Sequence, residues 1–90
     1  MKYYYIEGNL LNEKKAAHRY IAGQLNFPDY YGNNLDALAD CLSEMSYNNT
    51  IVISHSSCIE ENLGAYGESL LEVFDEQSRQ PYSFKLIVKK

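Results

Sequence analysis

Three carboxylates recur at every fourth position near the middle of the chain: Asp36, Asp40 and Glu44. On a helix this spacing puts them on one face. Carboxylates crowded in this way can hold a divalent cation, or can stand in for phosphate oxygens towards the guanidinium and ammonium groups of a basic partner. Like charges four apart destabilise a helix by roughly 0.2–0.5 kcal/mol per pair, and an ordinary solvated face interleaves lysines to remove that repulsion. None is present here. Asp36 has a structural explanation, because an acid in the first turn complements the helix dipole. Asp40 lies too deep in the helix for that, and Asp is a poor interior helix residue. Local rules broken without local compensation point towards function. Glu44 reads as rim charge.

The cations are elsewhere. The chain has twelve Asp and Glu against eight Lys and Arg, a net charge of -4. From residue 21 through residue 78 there is no Lys or Arg, while the same stretch holds most of the acids. Phosphate binding needs Lys and Arg, so nucleic acid is disfavoured as the direct partner and a cationic protein is favoured. A second acidic strip, Glu68, Glu72 and Glu76 with Asp75 beside it, is followed by Arg79, which can pair with Asp75 or Glu76. That strip reads as an ordinary surface helix. His55 and Cys58 offer two metal ligands but no second pair, so a zinc site is not expected. Asp36 and Asp40 come with no Gly-rich phosphate loop, and no nucleophile motif surrounds any serine. The chain therefore reads as a binding protein and not an enzyme, with no cofactor and no metal.

The elements that must position these residues follow from the hydrophobic pattern. Residues 3–6 are aromatic and β-branched and predict a first strand, broken by Gly8 and Asn9. Residues 13–25 carry Ala16, Ala17, Tyr20, Ile21 and Leu25 at helical spacing, and Asn26-Phe27-Pro28-Asp29 is expected to end that helix, since the residue before a proline is pushed out of the helical region. Asn33 or Asn34 caps a second helix, whose apolar stripe is Leu35, Leu38, Leu42 and Met45. Residues 50–53 are too apolar for a half-exposed strand and predict an interior one. Residues 57–60 open a short helix with a capping-box pattern, closed by Gly64. Residues 68–77 predict a longer helix, with Leu70, Leu71 and Phe74 inward, and residues 83–88 a last strand. Helical crossovers between strands imply parallel pairing, hence an α/β fold with a three-stranded parallel sheet packed with four helices.

Ninety residues suffice for a single domain over 1–90. The apolar runs are far short of a membrane span, and the N-terminus has no apolar core of a signal peptide. Two cysteines, Cys41 and Cys58, do not make a secreted disulfide framework. A reduced, cytoplasmic protein is expected. Tyr30 and Tyr31 are adjacent in a loop, which can send one inward and leave the other for contact with a partner.

The stretch that holds the first acidic strip also carries a motif. Pro28, Asp29, Tyr30, Tyr31, Gly32, Asn34, Leu35, Asp36, Ala37, Leu38, Asp40, Cys41 and Leu42 stand in the register Pro-acid-Tyr-Tyr-Gly-x-Asn-Leu-Asp-Ala-Leu-x-Asp-Cys-Leu. This resembles the hallmark of the barstar family, intracellular inhibitors of an extracellular bacterial ribonuclease, and the likeness spans nearly the whole chain. The resemblance implies the same three-stranded sheet and four helices. It also implies a 1:1 complex with a basic extracellular-type ribonuclease and a toxin–antitoxin-like immunity role, in which the second helix and its loop plug the enzyme's active site.

By the same resemblance, Asp40 takes the place of an RNA phosphate, Asp36 meets another cation and Tyr30 packs on the catalytic histidine. Asn34 and Gly32 add polar and backbone contacts, and Glu76 meets a peripheral Arg or Lys. Opposite charges also steer association, for which barstar and its ribonuclease are themselves a worked case. The chain departs from the family where Ala39 and Met45 replace tryptophans at the contact surface. The runner-up function is an acidic module for a basic partner that is not a ribonuclease. A third reading is a small hydrolase using Mg²⁺ at Asp36 and Asp40.

Overall fold

The three strands are β1 (Lys2–Glu7), β2 (Asn49–Ser54) and β3 (Lys85–Val88). In the computed structural model, which describes residues 1–90, they form one parallel sheet in the order β1-β2-β3. Tyr5 lies beside Val52, and Val52 beside Ile87. The run Ile51-Val52-Ile53 takes the central position between two neighbouring strands, and all three residues are buried. The α/β fold is thus the one the hydrophobic pattern implies.

Between β1 and β2 run a short 3-10 turn (Gly8–Leu10), α1 (Lys14–Leu25) and α2 (Leu35–Ser43). Between β2 and β3 run α3 (Ser56–Leu63) and α4 (Ala65–Ser78). Crossovers between parallel strands are right-handed by rule, and two in the same direction put the helices on one face of the sheet. That face carries Ile6, Ile51 and Ile53, which join Ile21, Leu38, Leu42, Leu70 and Phe74 in one core cluster. α1 also covers the free edge of β1. The Glu7 amide donates to the Tyr20 hydroxyl at 3.0 Å, and the Gln24 side chain donates to the Tyr5 carbonyl at 2.7 Å. These two bonds occupy the C-terminal part of that edge.

α1 ends where the sequence places its end, while several other element ends differ from expectation. α1 stops at Leu25 because Asn26 turns left-handed (φ 58°) and its amide bonds back to the Ala22 carbonyl. The stop signal is this C-cap and not Pro28. The start of α1 is capped by the Glu13 carboxylate, which accepts from the Lys15 and Ala16 amides. α3 begins at Ser56, one residue before the expected capping box. His55 stands at its N-cap in a left-handed conformation, with no side-chain cap. α4 starts at Ala65, ahead of the expected residue 68, because Gly67 is absorbed into its first turn. A Cβ at Gly67 would overlap the Ile59 carbonyl, so glycine lets α3 and α4 approach closely there. β3 is shorter than expected; Ser83 makes only an isolated bridge to Ser46.

Candidate interaction face on the second helix

α2 is built to show one side and hide the other. Asn34 is its N-cap: the side-chain oxygen accepts from the Ala37 amide at 2.8 Å. Of the two candidates Asn33 is therefore not the cap, and it sits left-handed in the preceding loop (φ 55°). Leu38 and Leu42 are fully buried, and Leu35 and Met45 are packed partly against the core. That stripe sets the rotation of the helix and turns Asp36 and Asp40 to solvent. Glu44 is exposed at the C-cap, one residue beyond the last helical turn. The protein's single ion pair joins Arg79 to Asp75 at 3.0 Å on α4. The three carboxylates of α2 have no cation.

The loop before α2 is held at one point and free at the next. Tyr31 is 8% exposed and Tyr30 is 88% exposed. The Tyr31 ring stacks at a tilt on Phe27, with centroids 5.0 Å apart. Its hydroxyl lies 2.7 Å from Nδ1 of His18, a buried residue of α1. Nε2 of the same imidazole lies 2.6 Å from the Tyr66 hydroxyl on α4. One histidine therefore ties α1, α4 and the loop together. Lys14 caps the arrangement, its ammonium 4.6 Å from the centre of the Tyr66 ring. The Asn34 amide also donates to the Gly32 carbonyl at 3.2 Å. A Cβ on Gly32 would stand 3.2 Å from that same amide and 3.4 Å from Ala37, so the turn is tight.

Burial sets the protonation states here. It lowers the His18 pKa from its ordinary 6.5, so the imidazole is neutral at pH 7. A neutral imidazole has one donor and one acceptor nitrogen, so one tyrosine hydroxyl donates to it and the other accepts from it. Burial likewise raises the pKa values of Tyr31 and Tyr66. Cys41, half-buried on α2, has its thiol pushed up, first by burial and then by the carboxylates of Glu44 and Asp40. It stays a thiol and behaves as a small apolar side chain.

The sequence-predicted residues do not all share this face. Tyr30, Gly32, Asn34, Asp36, Asp40 and Glu44 are exposed along the loop and α2. Ala39 is half-buried on the same helix. Met45 is half-buried and packs partly against the core. Glu76 is exposed on α4, which packs beside α2. Two open grooves dent the surface, of about 370 and 290 Å³. The first is lined by Glu60, Glu68 and Glu72 among others, the second by Arg19, Phe27 and Tyr31. Neither reaches Asp36 or Asp40, which stand on a convex helix face and not in a cleft. His18 and Tyr66 were missed by sequence reasoning. The available signal was the place of His18 beside Ala17, Ile21 and Leu25 on the apolar side of α1.

The match to known proteins decides the family. The family model described as Barstar (barnase inhibitor) matches residues 1–89. The chain belongs to the barstar family. It is also 36% identical over 86 residues to a Bacillus subtilis (strain 168) protein named "Putative ribonuclease inhibitor YrdF", covering 93% of this chain and 94% of that one. The barstar-family fold, with its three parallel strands and four helices, is the one described above. No helix is long and apolar enough to cross a membrane.

Proposed function

We propose that this protein is a ribonuclease inhibitor, a single barstar-like domain over residues 1–90 that binds one basic, extracellular-type ribonuclease and does no chemistry of its own. The observation that carries this reading is the pair of exposed, cation-free carboxylates Asp36 and Asp40, set beside a loop anchored by Tyr31 and tipped by the free Tyr30. Family membership supports the class of partner. An RNase active site gathers Arg, Lys and His around a phosphate, and carboxylates on a rigid helix supply oxygen acceptors to such groups without offering a scissile bond. Asp40 sits centrally and takes the phosphate's place; Asp36 meets a second cation. Tyr30 presents its ring to the catalytic histidine, Gly32 and Asn34 line the contact, and Glu44 and Glu76 reach peripheral cations at its rim.

Ala39 leaves the helix surface between the two aspartates low. The preferred target is therefore an enzyme that brings its own bulk to that point. Two cysteines held as free thiols accord with action in the cytoplasm. The convex placement of Asp36 and Asp40, outside either groove, weighs against the Mg²⁺-hydrolase reading.

The test is a fluorescent RNA-cleavage assay in which this protein and Asp40→Ala are titrated into a barnase-type ribonuclease and into secreted ribonucleases of the source organism. Stoichiometric inhibition by the natural chain, weakened in the variant, is the expected result. Absence of inhibition across the panel would overturn the reading and direct the same acidic face to a basic protein of another kind.

A further inference from the structure

The sheet has a second face, and no helix covers it. Strand alternation places Tyr3, Tyr5 and Glu7 there on β1, Thr50, Val52 and Ser54 on β2, and Lys85 and Ile87 on β3. Lys89 extends β3 on the same side, its amide bonded to the Ile53 carbonyl at 2.8 Å. The Ser54 hydroxyl donates to the Glu7 carboxylate at 2.7 Å, which holds that carboxylate on this face. Tyr3, Tyr5 and Ile87 are 53%, 56% and 43% exposed. The two tyrosine rings lie nearly parallel, 6.5 Å between centroids. The face is thus aromatic and aliphatic in the middle, with an acid at one corner and lysines along the opposite edge.

This pattern is self-complementary. We propose that the open face of the sheet is a homodimer interface, in which two copies of this chain pack sheet against sheet about a two-fold axis parallel to the strands. Such an axis lays β1 of one copy over β3 of the other. Tyr5 then meets Ile87 of the second copy, and Tyr3 meets the Lys85 ammonium with its ring face. Glu7 meets Lys89, and Val52 meets its own counterpart on the axis. Each contact occurs twice or lies on the axis, as an isologous interface requires. The alternative axis, across the strands, would set Lys85 against Lys89 of the other copy, so charge selects between the two. Aligned packing of this kind keeps strand directions within about 30°.

Tyr3, Tyr5 and Ile87 are about half exposed and Val52 and Thr50 are buried between them, so pairing covers at most on the order of 1,000 Å² in total, at the lower bound for a specific interface. The dimer is therefore weak, forming at high micromolar concentration. α2 packs on the other face of the sheet and stays open in both copies.

The test is sedimentation equilibrium on the full chain from about 10 µM to 1 mM at low salt. The expected mass rises from 10.4 kDa towards twice that value. Tyr5→Asp and Ile87→Lys, on opposite edge strands, should each raise the dimer dissociation constant by about tenfold or more. Far-UV circular dichroism identifies which of the two remains folded. Glu7→Lys should weaken the dimer, and Glu7→Lys combined with Lys89→Glu should bring it back to within about twofold of the natural chain, since the swap restores the pair in reverse. A chain that is monomeric at 1 mM overturns the proposal. A dimer indifferent to the folded face variants does the same, as does a charge swap that fails to restore what the single change removed.

Discussion

α2 and α4 carry nearly the same charge pattern and sit in different circumstances. α2 has Asp36 and Asp40 inside it and Glu44 at its end; α4 has Glu68, Glu72 and Glu76 with Asp75. On α4 one acid is answered locally, because Arg79 pairs with Asp75 four residues before it, while Glu68, Glu72 and Glu76 have no cation. On α2 nothing answers it. α2 also inherits a loop pinned by the His18–Tyr31 contact, so its acids stand next to an ordered tyrosine-bearing turn. Charge periodicity by itself does not distinguish a binding face from a solvated helix. What sets α2 apart is the anchored loop beside it.

The largest expected effect tests this difference directly. Asp40→Ala should weaken ribonuclease inhibition by roughly 2 kcal/mol or more, about thirtyfold, because truncating a central charge strands its cationic partner. Glu72→Ala on α4 should change inhibition by less than about threefold. Comparable losses from the two substitutions in an inhibition titration would erase the distinction between the helices.

The anchor of the loop has a pH signature of definite sign. The His18 pKa is lowered by folding, so between that lowered value and 6.5 the unfolded chain binds a proton that the folded chain does not. Stability is therefore full above about pH 6.5 and falls as the pH drops below it, by at most about 1.4 kcal/mol per pH unit. Urea melts between pH 7.5 and pH 5 measure the slope. His18→Gln should flatten that slope while lowering stability throughout, and an unchanged slope would remove His18 from the account.

Next comes the helix start. Asn34→Ala removes the acceptor for the Ala37 amide and should cost about 1 kcal/mol of stability. The same melts should show no loss if another group caps α2. The smallest effect belongs to α4: Arg79→Ala breaks a pair whose side chains are more than half exposed, and should change stability by less than about 0.5 kcal/mol. A larger change in the melting transition would mean that α4 depends on its cation more than an exposed helix should.

Much of this was legible in the linear chain. Ile51-Val52-Ile53 announced a central strand, because such a run is too apolar for a half-exposed one. The leucines at 35, 38 and 42 set which side of α2 is buried, and so turned Asp36 and Asp40 outward. Met45 packs partly against the core, at the end of the apolar stripe that the spacing predicts. The motif around Tyr30 and Tyr31 pointed to the family. These signals are local: each depends on periodicity or on residues adjacent in sequence.

What the tertiary structure alone decided depends on residues far apart in the chain. His18 meets Tyr31 and Tyr66 because three elements converge on one imidazole, and no local pattern reports such a convergence. The early start of α4 turns on the space between Gly67 and the Ile59 carbonyl, a contact made between two helices. The rows of the open sheet face exist only through strand register, which aligns Tyr5 with Val52 and Val52 with Ile87 across the length of the chain. Composition and spacing determine which side of each element is apolar; only packing determines which elements those sides meet.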